Sequence, residues 1–342
     1  MIIFSGDYAG GLSSVGMYYS INSTHRQSIK IDRECKPEDG PMKIHDLSFA
    51  EIERINFKTV DDIQSLMSTA RRPMIFEGLA NQLSFLEKWD LSFFEQMESS
   101  VPVQQPETDG VNYFFKYFAI PMKEFISRIK SGDNLYIGAR EILGEGGKPS
   151  GKDGLASLAD SLEVPNWFKR EKIRSANLWI GAGNNKTLLH YDPWNSIQLL
   201  RQGQKEFFVF RNTDTRNLHP FSVFNFKALY QGKVLHSKIR PMTVQKRYQK
   251  RFKELKGFRG TVNAGDVVFI PAGYWHYVES EGQNIGVNFF VHSDDQTLHR
   301  IEPLRSYWIK DRIMLHPVRW LYRLKYNFFQ VLRKVFPKRV GS

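Results

Sequence analysis

The chain has 342 residues and a mass of 39.9 kDa, with 48 Lys and Arg against 36 Asp and Glu, a formal charge of +12, 41% hydrophobic and 14% aromatic residues. That length holds either one large β domain with attachments or two domains, with ample core in both cases. One cysteine, Cys35, excludes an intrachain disulfide framework and suits an intracellular, reducing compartment, here expected to be the cytoplasm. The positive charge favours acidic partners, whether nucleic acid, anionic lipid or acidic protein, without choosing among them. The opening Met1-Ile-Ile-Phe-Ser-Gly-Asp7 has neither the charged nor the apolar region of a secretory signal. No stretch approaches the roughly 18 uncharged apolar residues of a membrane span, so none is expected.

Residues 1–42 read as an N-terminal extension rich in Gly, Ser and Asn, with partial disorder as the simplest expectation. Ile44 to Phe57 opens a mixed segment. From Thr59 to Met67 the apolar residues fall at helical spacing behind an N-cap-like Thr or Asp. Pro73 opens a short apolar strand that ends at Gly78. Two short helical pieces lie between Ser84 and Met97, with Trp89 expected in the core. Val101 to Gln105 and Val111 to Phe118 read as strands. Met122, Phe125, Ile126 and Ile129 share one face of a helix, and Leu135 to Ile137 starts another strand. The polar loop Gly144 to Gly154 reads as a surface connection more readily than as a flap over a site. Leu155 to Pro165 looks helical, and Ala176 to Gly183 leads into the segment that carries the chemistry.

That segment runs from Asn184 to Asn288. His190 and Asp192 are two apart, and residues i and i+2 of a strand face the same side. His276 is the best candidate for a third ligand. It follows the apolar run from Val267 to Ile270 and the tight turn from Pro271 to Gly273. Two imidazoles and a carboxylate on one side of a metal make the facial triad of non-haem Fe(II) oxygenases, with positions left for a cosubstrate and O2. A closed zinc site would want four ligands, usually with cysteines. Gln202-Gly203-Gln204 gives a hairpin signal, after which Lys205 opens an otherwise apolar strand. A buried lysine is expensive without an anion beside it. A dicarboxylate that chelates the metal at one end needs a cation at the other.

Together these residues resemble the JmjC/cupin-like 2-oxoglutarate oxygenases, of the hydroxylase kind typified by the asparaginyl hydroxylase that inhibits hypoxia-inducible factor. The resemblance rests on the HxD pair at His190 and Asp192, on Gly203 and Lys205 thirteen and fifteen residues after His190, and on Pro271-Ala-Gly-Tyr-Trp-His276. It implies a mainly β fold with flanking helices, a double-stranded β-helix or jelly-roll cupin. It also implies His190, Asp192 and His276 as the iron ligands at the catalytic centre. Lys205 would hold the far carboxylate of 2-oxoglutarate, with Thr187 on the same carboxylate. Asn288 would lie near the metal-side carboxylate, and Tyr136 would reach the cosubstrate through a looser match. Where the family often has Asn six residues after the first His, this chain has Ser196 with Asn195 beside it. The strand opened by Pro73 corresponds to the usual entry strand of these enzymes.

Between the halves of the motif, residues 212–260 are strongly basic. Lys233, Lys238, Arg240, Lys246, Arg247, Lys250, Arg251, Lys253, Lys256 and Arg259 meet only Glu254 after Asp214. A short helix is expected from Val244 to Leu255, with Tyr248 and Phe252 packing inward. The basic face is either simply solvated or a docking surface for an acidic substrate or a phosphate backbone. Leu304 to Val340 reads as helix interrupted at Pro317, basic and amphipathic. It suits packing or a homodimer interface, with peripheral contact to an anionic membrane as the competing reading.

The sequence therefore reads as an extension (1–42), an oxygenase domain (43–300) and a basic helical region (301–342). The expected activity is Fe(II)-, 2-oxoglutarate- and O2-dependent hydroxylation of a C–H bond, with a protein side chain as the leading substrate. A tRNA base or a small molecule is the alternative substrate, methyl-lysine demethylation is compatible chemistry, and a non-catalytic cupin that binds or anchors is the alternative of a different class. An enzyme using zinc or manganese without 2-oxoglutarate would give Lys205 no task.

Overall fold

The computed structural model describes residues 42–310, apart from 61, 109–112, 151–154, 223–224, 226–227 and 229–232. The N-terminal extension and the helix read beyond Lys310 lie outside these residues. Twelve strands form one hydrogen-bonded sheet that bends through two long strands, β9 (Asn195–Phe210) and β12 (Trp275–Val291). These pair antiparallel along nearly their whole length. The first half of β9 also pairs with β11 (Val267–Ile270), and the second half with β10 (Gly257–Asn263). Likewise β12 pairs first with β8 (Lys186–Tyr191) and then with β7 (Ile173–Gly181). Each long strand therefore belongs to two limbs. One limb continues through β11 to β3 (Met74–Glu77) and β2 (Glu53–Asn56), and through β7 to β6 (Tyr136–Leu143), β4 (Ser100–Thr108) and β5 (Tyr113–Pro121). The other holds β1 (Phe49–Glu51), β10 and β8. This is the expected jelly roll, a double-stranded β-helix.

The expected hairpin at Gly203 is not formed. Gln202, Gly203 and Gln204 lie inside β9, and the glycine bends the strand instead of reversing it. Its φ is +83°, and a Cβ there would meet Gln283 O at 2.6 Å. The ladder to β12 shifts register opposite this point, between Glu281 and Gly286. A left-handed glycine serves a corner in a long strand as well as it serves a two-residue turn.

Burial follows the limbs. β11 reads as a continuous apolar run because both of its faces are covered. Val267 and Phe269 join the outer core with Phe85 and Leu86 of α2 (Ser84–Lys88), Leu91 and Phe94 of α3 (Leu91–Glu95), Met122, Phe125, Ile126 and Ile129 of α4 (Met122–Lys130) and Leu158 of α5 (Ala156–Ser161). Trp89, 1% exposed, packs there as expected. Val268 and Ile270 point the other way, into the barrel, with Leu200, Phe207, Val209, Val262 and Val278. Helix α1 (Ile63–Thr69) is capped by Asp62, whose side chain accepts from Ser65 N at 2.8 Å. The loop after β6 is stitched to the outside of the fold: Ser150 Oγ donates to Glu141 at 2.7 Å, and Arg170 donates to Gly147 O at 2.8 Å.

The basic connection packs on the outer face of the second limb. In α6 (Lys246–Phe252), Tyr248 and Phe252 are buried beside Leu189, Phe208 and Phe210, as their i,i+4 spacing predicts. Last comes α7 (Leu304–Lys310). No helix among the described residues is long and apolar enough to cross a membrane.

Candidate metal centre

His190 and His276 are direct partners across the β8–β12 ladder. Side chains of directly opposed residues share a face and lie close, and the two imidazole centres are 4.2 Å apart. Asp192 follows β8 by two residues from His190. Its backbone carbonyl accepts from Gly273 N at 2.8 Å, which ties the HxD segment to the turn before His276. Asp192 Oδ2 lies 3.5 Å from His276 Nε2 and 3.9 Å from His190 Nε2. The three ligand atoms fall within 4.8 Å of one another, a spacing that a single ion can span.

The rings are aimed. Nδ1 of His190 contacts Leu188 O at 2.7 Å, and Nδ1 of His276 contacts Tyr274 O at 3.3 Å. A carbonyl only accepts, so each Nδ1 carries its proton and each Nε2 presents a lone pair to the centre. Burial, aided by the neighbouring His190, holds His276 well below the usual histidine range, so its imidazole is neutral and ready to ligate. Burial also raises the Asp192 carboxyl, a cost that a cation at this point would remove.

Lys205 stands farther along the same interior face. Across the β9–β12 ladder it is opposite Ser280, four residues from His276, or roughly 13 Å along the strand. Phe207 and Val278 line the wall between them. Lys205 is 2% exposed, and burial pushes its ammonium down to about 7. It makes no hydrogen bond or ion pair among the described residues; its Nζ lies 5.7 Å from the centre of the Trp179 ring. The set therefore fits a metal and a chelating dicarboxylate: three convergent donors for a divalent ion, and at the far end a buried cation without a carboxylate partner among the described residues.

The remaining residues singled out in the sequence fall into two pairs and one outlier. Tyr136 and Thr187 share a hydrogen bond, and Tyr136 packs 5.8 Å from Trp179 beside Lys205. Ser196 Oγ donates to Asn288 Oδ1 at 2.9 Å, and both are buried. Asn195 is turned away from that pair: its Oδ1 caps the distal turn by accepting from Ala272 N at 2.9 Å.

Three further groups escaped the sequence reading. His236 sits opposite His190 in an isolated bridge, so that His276, His190 and His236 lie in a row across neighbouring strands. The His236 ring stacks on His190 at 5.5 Å, its Nδ1 is buried without a partner among the described residues, and burial lowers its pKa to about 3. A lone histidine in a basic connection carries no spacing signal. Among the described residues Trp179 Nε1 and Asn177 Oδ1 are also buried without partners, and Asn177 faces Asn288 across the sheet. Their only signal was polarity inside an apolar strand.

Residues 61–297 match the model of the cupin-like domain family. The chain is 22% identical to lysine-specific demethylase JMJ31 of Arabidopsis thaliana over 75% of this chain and 52% of that protein. It is 22% identical to Jumonji C domain-containing protein 5 of Drosophila melanogaster over 71% of this chain and 60% of that protein. It is 24% identical to mouse tRNA wybutosine-synthesizing protein 5, over 64% and 71%. The chain thus spans between half and three-fifths of the first two relatives' lengths. Because the matched residues exceed half the chain and contain β8, β9 and β12 around the His-Asp-His cluster, the protein belongs to the cupin-like domain family of JmjC type, whose members generally use Fe(II) and 2-oxoglutarate.

Proposed function

We propose that this chain is an Fe(II)- and 2-oxoglutarate-dependent oxygenase that hydroxylates a C–H bond on a protein side chain. The observation that carries the reading is Lys205: a buried, unpaired cation on the same interior face as three convergent metal donors. When bound, iron and the cosubstrate supply the oxidising power, with O2 consumed and succinate and CO2 released.

The chain's own residues hold, orient and shield. His190 and His276 offer Nε2 lone pairs fixed by their Nδ1 contacts, and Asp192 supplies the charge. Lys205 pairs with the far carboxylate, next to the Tyr136–Thr187 pair. Phe207 and Val278 line the space between with apolar side chains, and such low-dielectric surroundings strengthen a Lys–carboxylate attraction. His236, neutral and adjacent to His190, borders the site on the β8 side. The triad side chains are 6–15% exposed, so the cluster is shielded without being sealed from solvent. The likeness to a lysine-specific demethylase supports a protein side chain as substrate class. A hydroxylated N-methyl group breaks down, so hydroxylation and demethylation are outcomes of one chemistry. The likeness to a tRNA wybutosine-synthesizing protein keeps a nucleic-acid base as the alternative.

Lys205→Ala tests the reading. Removing the charged partner of a buried carboxylate costs about 2–5 kcal/mol, so the 2-oxoglutarate requirement should rise at least about tenfold while iron binding is unchanged. Unaltered cosubstrate dependence in this variant would contradict the assignment of Lys205.

A further inference from the structure

We infer that the basic insert between β9 and β10 is the substrate-docking element, and that its partner is an acidic polypeptide segment lying across α6 with the target side chain reaching the metal. This deepens the proposed function and rests on it.

The insert is built onto the metal site. Beyond the edge of β8, Ser237 N donates to Leu189 O at 2.9 Å, and His236 is bridged to His190. On the far side of this segment, Phe221 N donates to His236 O and Lys238 N donates to His219 O. The His219 ring packs on Tyr248 of α6 at 4.5 Å, and Gln245, the residue before α6, donates to Lys238 O at 2.9 Å. Two strand spacings, roughly 10 Å, therefore separate a metal ligand from the segment that seats α6.

The exposed side of this element is cationic and unneutralised. Lys238, Lys246, Arg247, Lys250, Arg251, Lys253 and Lys256 are exposed and make no ion pair among the described residues. Elsewhere on the same surface cations are paired: Arg259 holds Glu206 at 2.7 Å, and Lys186 lies 3.4 Å from Glu279. Glu254 is the one acid between Lys246 and Lys256. Unpaired like charges crowded on two helical turns repel, and a polyanion relieves the repulsion.

The seven-residue helix, roughly 10 Å long, gives footing to about three residues of extended chain. One observation on the described residues favours a peptide over a nucleic acid: single strands are usually held by stacking on exposed aromatics, but Tyr248 and Phe252 of the described patch are buried. Tyr117, the large aromatic that is exposed among the described residues, lies on β5 in the other limb.

Fluorescence anisotropy on the full chain tests the inference with three probes: a short Glu/Asp-rich peptide, a neutral peptide of the same length, and a short single-stranded RNA. The comparison is wild type against the triple variant Lys246→Glu/Lys250→Glu/Lys253→Glu, with thermal unfolding and the iron–cosubstrate absorption band recorded for both. The acidic peptide should bind wild type in a salt-sensitive way. Reversing three exposed charges should weaken it at least about tenfold with unfolding and band unchanged. Acidic-peptide binding that is absent, or equal in the two proteins, overturns the inference, as does RNA that binds tighter than the peptide and is itself lost in the variant. A missing band in wild type would instead contradict the oxygenase reading, while peptide binding would still report on the docking surface.

Discussion

Lys205 has a pKa depressed to about 7 because it is buried without an anion, and two consequences follow. In the unfolded chain a lysine titrates near 10.4. Between about 7 and that value the unfolded state binds more protons than the folded one, so stability without cosubstrate should rise with pH across this window. Below about 7 both states are protonated, and the cost of burying the charge is present in full. Cosubstrate binding runs the other way, because a carboxylate needs the ammonium form. The apparent affinity for 2-oxoglutarate should therefore be greatest below about 7 and weaken as pH rises above it. Titrations at fixed ionic strength with wild type and Lys205→Ala would check this; a pH dependence that survives in the variant would assign it to another group. At this scale much was legible. An HxD pair, a lysine at a fixed offset and a histidine behind a Pro-Ala-Gly turn are short-range patterns. His236, Trp179 and Asn177 were not legible, because their roles depend on what lies across the sheet.

Among the elements, β9 shows where local pattern and tertiary setting part. The Gly203 signal was read as a hairpin, but the residue, at φ +83°, bends β9 instead of reversing it. Flanking strands decide whether such a residue reverses the chain or bends it, and here β12 pairs across both sides of the bend. Gly183 meets the backbone of Gly282 near the same corner, where a Cβ would come within 2.8 Å. The bend lets β9 carry Ser196 in one limb and Lys205 in the other. Gly203→Ala places a Cβ 2.6 Å from Gln283 O at φ +83°, and should cost about 3 kcal/mol or more through strain and clash. Denaturant unfolding would measure it; a loss below about 1 kcal/mol, under the ordinary cost of a left-handed conformation for a non-glycine residue, would show that the corner relaxes. The α4 and α6 faces were easier to read, since Met122, Phe125, Ile126 and Ile129, like Tyr248 and Phe252, are buried where helical spacing places them.

Over the whole molecule, the sheet's two limbs separate two tasks. The first carries its outer core against α2 to α5 and supplies rigidity. The second carries the basic insert on its outer face and the candidate metal donors of β8 and β12 on its inner one. Asp266, in the turn before β11, joins several elements: it accepts from Gly78 N and Asn263 N and pairs with Arg54 at 3.1 Å. Several strands were legible as short apolar runs between turns, but their arrangement as a jelly roll was implied by the resemblance of the two-part motif to the JmjC/cupin-like family. How the basic insert attaches was not, since two-residue bridges such as His190 to His236 leave no periodicity in the chain.

The most direct test is an anaerobic titration of the full chain with Fe(II), with and without 2-oxoglutarate, following the weak visible charge-transfer band of the chelate. The account predicts a band that needs both components and is lost in His190→Ala while the protein remains folded. Folded wild-type protein that binds no iron, or that binds iron and gives no band with the cosubstrate, would contradict it.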